Sequence, residues 1–143
     1  MTPEAISFEG RTGRHEVTTE LFEKGLKNRR EVLGSDYVDK AIKNADPFSR
    51  PMQELVTEYC WGRIWDRPGL ARRERSMINI AMLTALNRPH ELKLHVRGAL
   101  NNGVSRDEIA EILLQAAIYC GVPAAMDSFR AAGEAIAQYG SAS

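Results

Sequence analysis

The chain has 143 residues, of which 43% are hydrophobic, and its nineteen basic side chains balance nineteen acidic ones. A domain of this size buries roughly 70% of its unfolded surface, and the balanced charge provides no overall field for nucleic acid or an anionic membrane. No apolar run approaches the ~20 residues that span a bilayer, and the first sixteen residues lack the charged start and apolar centre of a signal peptide, so a cytoplasmic protein is expected.

Residues 1 to 14 contain glycine and threonine without apolar periodicity and are expected to form a loose tail ahead of one domain, 15 to 140. Val17, Leu21, Phe22, Leu26, Val32 and Leu33 recur at helical spacing up to Gly34. Asp36 is placed to cap a short helix burying Val38, Ala41, Ile42 and Ala45, which Asp46 and Pro47 end. Ser49 and Pro51 open a third helix, with Met52, Leu55, Val56, Tyr59 and Cys60 expected on its buried face before Pro68 and Gly69 break the chain.

Residues 72 to 86 are apolar nearly all round after Met77, as suits a central helix surrounded by others. The next stretch, RPHELKLHVRGALNNGV, starts with Pro89 at a first helical position and ends with Gly103, which can close the helix left-handed. Ser105 and Glu108 form a capping box for a helix with Ile109, Ile112, Leu113, Ala116 and Ala117 inside, stopped by Gly121. Pro123 begins the last helix, with Met126, Phe129, Ala132 and Ile136 along one side. Alternating β patterns are absent. The expected class is all-α, a single domain of six to seven helices.

Glu91 and His95 lie one turn apart on one helix face, with His95 at the margin of the apolar stripe. The pair reads either as a surface contact or as a carboxylate that orients or charges a proton-handling imidazole. His90 lies on the polar side, and H-E-x-x-x-H does not aim two imidazoles at one metal ion; no metal is expected. His15 completes no recognisable triad. Arg75, Ser76 and Asn79 lie near one edge of the central helix, either satisfied structurally or binding an anion. Arg88, Arg72 and Arg73 are looser candidates. Trp61 and Trp65, one turn apart, and Tyr119 are core or oligomer contacts, or else pocket walls. Cys60 and Cys120, outside any C-x-x-C pair, read as reduced core or pocket-wall thiols.

The segments TEYCWGRIWDRPGL (57 to 70), ERSMINIAMLTALNRPHELKLHVRGALNNGV (74 to 104) and EILLQAAIYCGVPAAMDSFRAA (111 to 132) closely resemble the 4-carboxymuconolactone decarboxylases of protocatechuate catabolism. The match runs from about Leu21 to Ala137. The resemblance implies the all-helical alkylhydroperoxidase D-like fold and a carboxy-lyase that needs no cofactor. It also implies a small dicarboxylate lactone as substrate and a ring-like homo-oligomer, a hexamer or a trimer, with neither nucleic acid nor membrane as partner. Peroxidase relatives of that fold carry two cysteines seven and four positions before the histidine, where this chain has Arg88 and Glu91, and a relay glutamate nineteen before it, where this chain has Ser76. Thiol chemistry is thereby disfavoured, and only His95 carries over directly. The expected site is His95 with Glu91 as its local carboxylate, and Arg75, Ser76, Arg88, Trp61, Trp65 and Tyr119 around the substrate. The rival readings are a thiol-dependent peroxidase or oxidoreductase on the same scaffold and a non-catalytic helical oligomer.

Overall fold

A computed structural model describes residues 19 to 141. The expected N-terminal tail, Val17 and His15 lie outside the described residues. Seven α-helices follow in order: α1 (Thr19–Leu33), α2 (Ser35–Lys43), α3 (Arg50–Leu55), α4 (Arg72–Ala85), α5 (Pro89–Asn101), α6 (Arg106–Cys120) and α7 (Val122–Ser141). Between α3 and α4 the helix continues in π form from Val56 to Ile64, and no strand occurs among the described residues. The all-α expectation holds.

Helix ends follow local chemistry. Arg88 is the N-cap of α5, with Pro89 in the first turn. Ser105 caps α6 through the backbone N–H of Glu108, whose carboxylate accepts from the Ser105 N–H in return. Gly103 and Gly121 take φ of 85° and 106° after α5 and α6. Asn87 does the same work after α4 at φ 55°. There the Arg88 N–H donates to the Leu83 carbonyl and the Asn87 N–H to the Thr84 carbonyl, a Schellman closure that turns α4 sharply into α5. One boundary differs from expectation: Gly34, not Asp36, is the N-cap of α2, and Asp36 lies in the first turn, where its charge suits the helix dipole.

The interior has two clusters. Leu26, Val32, Leu33, Val38, Trp61 and Trp65 form one; Ile80, Leu92, Val96, Ala99, Val104, Ile109, Leu113 and three alanines of α7 form the other. Helix α5 joins them: Leu94 packs on the first cluster while Leu92 and Val96 belong to the second, and Asn101 donates to the Val32 carbonyl at 2.7 Å. Helix α1 lies along the π segment so closely that a Cβ on Gly25 would stand 1.8 Å from the Thr57 carbonyl oxygen, and one on Gly62 would stand 2.5 Å from that of Leu21.

Three expected faces are corrected. In α3 and the π segment Met52, Leu55, Tyr59 and Cys60 are exposed, and Thr57, Trp61, Gly62 and Trp65 face inward instead. The π register, with the Trp65 N–H donating five residues back to Cys60, turns a different stripe to the core than the α spacing predicts. Helix α4 is not enclosed: Ser76, Ile80 and Thr84 are buried while Ile78, Met82 and Leu86 face outward. Helix α7 packs through Ala125, Ser128, Ala131, Ala132 and Ala135, leaving Met126 and Phe129 exposed. Small residues permit close approach to α5 and α6, so the larger side chains of α7 turn outward.

Candidate active site

His95 lies where the two clusters meet, half-buried on α5. Two neighbours fix its ring. Asn79 of α4 places its amide nitrogen 3.4 Å from Nδ1. In the tautomer that carries its proton on Nε2, Nδ1 accepts from this amide. The Trp61 indole lies parallel to the imidazole, 3° between planes and 6.3 Å between centroids. Burial pushes the His95 pKa down to about 4, against the opposing charge of Glu91. At neutral pH the ring is uncharged, and in that tautomer an Nε2–H is available to donate.

Trp61 is itself held on several sides. Its ring stacks on Trp65 at 4.6 Å and 23°, and its carbonyl accepts from the Asn28 amide at 2.9 Å. That amide also donates to Asp66, and its oxygen accepts from Arg72 at 2.7 Å. With donors and acceptor occupied, Asn28 anchors the π segment on α1. The Asn28 bond, followed by Lys24, holds the Asp66 carboxyl below its ordinary range.

The remaining expected residues divide. Glu91 is exposed and acts on His95 through charge; the ring's described hydrogen-bond neighbour is Asn79. Arg75, one turn from Asn79 on α4, donates Nη2 to the Arg67 carbonyl at 3.1 Å, and its Nε is buried without a partner. Ser76 is fully buried and accepts from Asn102 at 2.9 Å, which ties α4 to the end of α5. Arg88 is exposed at the start of α5, and Tyr119, 83% exposed, stands outside both clusters. Arg72 pairs with Glu31, and Arg73 with Glu108. Cys60 and Cys120 are free and exposed, correcting the expectation of core thiols. Two shallow grooves, one lined by Met77, Glu108, Glu111 and Gln115 and the other by Lys24, Gly62 and Asp66, do not include His95.

Two residues escaped the site expected from sequence. Asn79 was visible as a polar group on the edge of α4, but its pairing with His95 depends on how α4 docks on α5. Arg29 carried a clearer signal, a charge on the same helical stripe as Leu26 and Leu33. It is buried, and its Nη1 donates to Gln53 at 2.9 Å and to Thr57 at 3.1 Å.

A nitrosuccinic acid decarboxylase of Metarhizium robertsii is 49% identical over 113 residues, 79% of each chain. A 4-carboxymuconolactone decarboxylase of Acinetobacter baylyi is 39% identical over 119 residues, 83% of this chain and 89% of the relative. An uncharacterized 15.0 kDa protein of Paracoccus denitrificans is 31% identical over 114 residues, 73% of this chain and 81% of the relative. The family model for carboxymuconolactone decarboxylases matches residues 50–134, a span holding His95, Asn79, Trp61 and Arg75. The chain belongs to the carboxymuconolactone decarboxylase family.

Proposed function

We propose that this protein is a carboxy-lyase that removes CO2 from a short dicarboxylic acid at a carbon conjugated to an electron sink. The two named relatives point to such acids. In 4-carboxymuconolactone the C–C bond to the leaving carboxylate breaks, and its electron pair passes through the ring double bond into the lactone carbonyl, giving a dienolate. In nitrosuccinic acid the pair passes into the adjacent nitro group, giving a nitronate. Either anion then takes one proton at carbon. The substrate supplies its own sink, so the chemistry calls on neither a metal nor an organic cofactor.

The observation that carries this reading is the half-buried imidazole of His95, uncharged at neutral pH and with the Asn79 amide beside Nδ1; the reading takes the tautomer with its proton on Nε2. That N–H donates to the oxygen on which charge develops, and a preorganised donor there is worth roughly 10²- to 10³-fold in rate. Solvent then serves as the proton source at carbon. Glu91 keeps a negative charge near the ring, stabilising the partial positive charge that His95 gains as it donates. Arg75, with its unpartnered Nε one turn from Asn79, meets a substrate carboxylate, and Arg88 supplies positive charge at the mouth. Trp61 and Trp65 form the apolar wall beside which CO2 departs. Ser76, buried on α4, supports this arrangement by accepting from Asn102 at the end of α5.

A homo-oligomer, as a trimer or hexamer, encloses the site. Support comes from large apolar side chains left outside: Ile78, Met82 and Leu86 on α4, and Ile118, Tyr119 and Met126 at the α6–α7 junction. The lactone of protocatechuate catabolism is the substrate expected from the matching segments. Nitrosuccinate is the second reading, favoured by 49% identity to that relative against 39%. The thiol-peroxidase reading lacks its thiol pair, since Cys60 and Cys120 stand sixty positions apart and outside any C-x-x-C spacing.

The test incubates purified protein with each acid and follows CO2 release and product by NMR, with and without chelator. CO2 release from one of the acids, unaffected by chelator, is expected. If neither acid loses CO2 faster than in buffer, the reading fails; if chelation abolishes the release, the metal-free mechanism fails.

A further inference from the structure

Arg29 is 5% exposed, and a guanidinium so far from water ordinarily has a carboxylate beside it. None of the ion pairs among the described residues includes it. Its two described partners are the neutral side chains of Gln53 and Thr57, both on Nη1, and its Nε is buried with no partner. The ionisable groups near enough to act on it are Tyr37 and Cys60, both exposed, so the guanidinium lies beneath a surface that solvent reaches.

Its place along the π segment matters as much as its burial. Arg29 bonds Thr57 at one end of that segment. Trp61, one turn further, lies parallel to the His95 ring, and beyond the far end Arg75 bonds the Arg67 carbonyl. Arg29 and Arg75, each with a buried and unpartnered Nε, are thus tied to the start of the π segment and to the turn that follows it. A dicarboxylate presents two charges to such a site, and the planar guanidinium fork matches a carboxylate better than an ammonium does.

We propose that Arg29 anchors the carboxylate that the substrate retains, so that the buried guanidinium selects dianions over monoanions while His95 attends to the other end. The inference rests on the dicarboxylate reading of the site and assigns Arg29 a specificity role that is separable from bond breaking. Gln53 and Thr57 are its positioning residues, holding Nη1.

The experiment uses succinate as an unreactive probe. Calorimetry on the folded wild-type oligomer is expected to show succinate binding roughly tenfold or more tightly than monomethyl succinate, as a charge-assisted contact provides. Arg29→Met, which fills similar volume without charge, is expected to erase that preference, while Arg29→Lys keeps part of it. A preference that survives in folded Arg29→Met, or none in wild type, overturns the proposal. Should the methionine variant fail to fold, the wild-type NMR signal of the Arg29 Nε–H decides: it moves on addition of succinate and stays with neutral succinamide, and an unmoved signal at saturating succinate overturns the anchor. None of these readouts requires turnover, so failure of the decarboxylase reading stays distinguishable. With an active enzyme, Arg29→Met is expected to raise KM with kcat much less affected; unchanged KM counts against Arg29 while leaving decarboxylation intact.

Discussion

The Trp61 indole and the His95 imidazole lie in planes only 3° apart, although 34 positions separate them in the chain. The π segment and α5 meet at this contact, with 6.3 Å between the ring centroids. The low pKa of His95 has burial as its main cause, and the indole is the aromatic surface supplying part of that burial.

Opening this contact is expected to restore ordinary histidine behaviour. In Trp61→Ala, water reaches the ring and the His95 pKa rises from about 4 toward the ordinary histidine value of 6.5. Trp61 is 2% exposed, so the same change costs about 3–5 kcal/mol of stability. NMR titration of the His95 ring protons checks the first effect and denaturant unfolding the second. An unmoved His95 titration in a folded variant contradicts the assignment.

Acid should destabilise the protein through His95 in a defined window. The folded-state pKa of about 4 lies below the ordinary histidine value of 6.5 that the unfolded chain approaches. The unfolded state therefore takes up the proton first as pH falls. The contribution of this residue is fully present above pH 6.5 and is lost between there and pH 4, in total on the order of 3 kcal/mol. Paired unfolding curves for wild type and His95→Leu isolate it from carboxylates such as Asp66, whose lowered pKa causes loss only in the lower part of the range. Parallel pH dependences in the two proteins would contradict the prediction.

Asn79→Asp tests which nitrogen carries the proton. A carboxylate at Nδ1 accepts a hydrogen bond, so it draws the proton to Nδ1 and raises the pKa. Above that raised pKa, Nε2 holds a lone pair and no longer donates. Turnover should acquire an alkaline fall absent from wild type, together with an upward-shifted NMR titration of His95. An unchanged pH profile would remove Asn79 as the positioning residue.

Much of this architecture was legible in the chain. Pro89, Gly103, the Ser105/Glu108 box and Gly121 mark helix ends by local chemistry that tertiary packing has no reason to override. The π segment was not legible, because the spacing of Met52, Leu55, Val56 and Tyr59 fits an α stripe equally well; contact with Gly25 and Gly62 selects Thr57, Trp61 and Trp65 instead. The outward turn of Met126 and Phe129 escaped for a related reason: hydrophobicity ranks them above alanine for burial, whereas close helix approach favours alanine. His95 was visible from its position at the stripe margin. Its true neighbour, Asn79, was not, since that pairing exists only once the Asn87 turn folds α5 back on α4.

Gly25 and Gly62 should therefore tolerate no side chain. Gly25→Ala places a methyl 1.8 Å from a backbone oxygen, and backbone must move. A loss of about 1–3 kcal/mol or more is expected, with a fall in activity as Trp61 shifts from His95. Denaturant unfolding and near-UV circular dichroism of the indoles check it; wild-type stability with an unchanged spectrum would show that α1 does not fix the π segment.

Replacing both thiols separates this account from thiol chemistry. Cys60→Ser combined with Cys120→Ser should leave CO2 release unchanged, because no step passes through sulfur. Assay of the folded double variant checks this, and abolished turnover would favour the peroxidase-like reading.

The most direct measurement is CO2 release by folded His95→Ala, compared with wild type at saturating substrate. Loss of the Nε2 donor should lower kcat roughly 10²- to 10³-fold while KM changes little. A folded His95→Ala variant that releases CO2 at the wild-type rate would contradict the central claim.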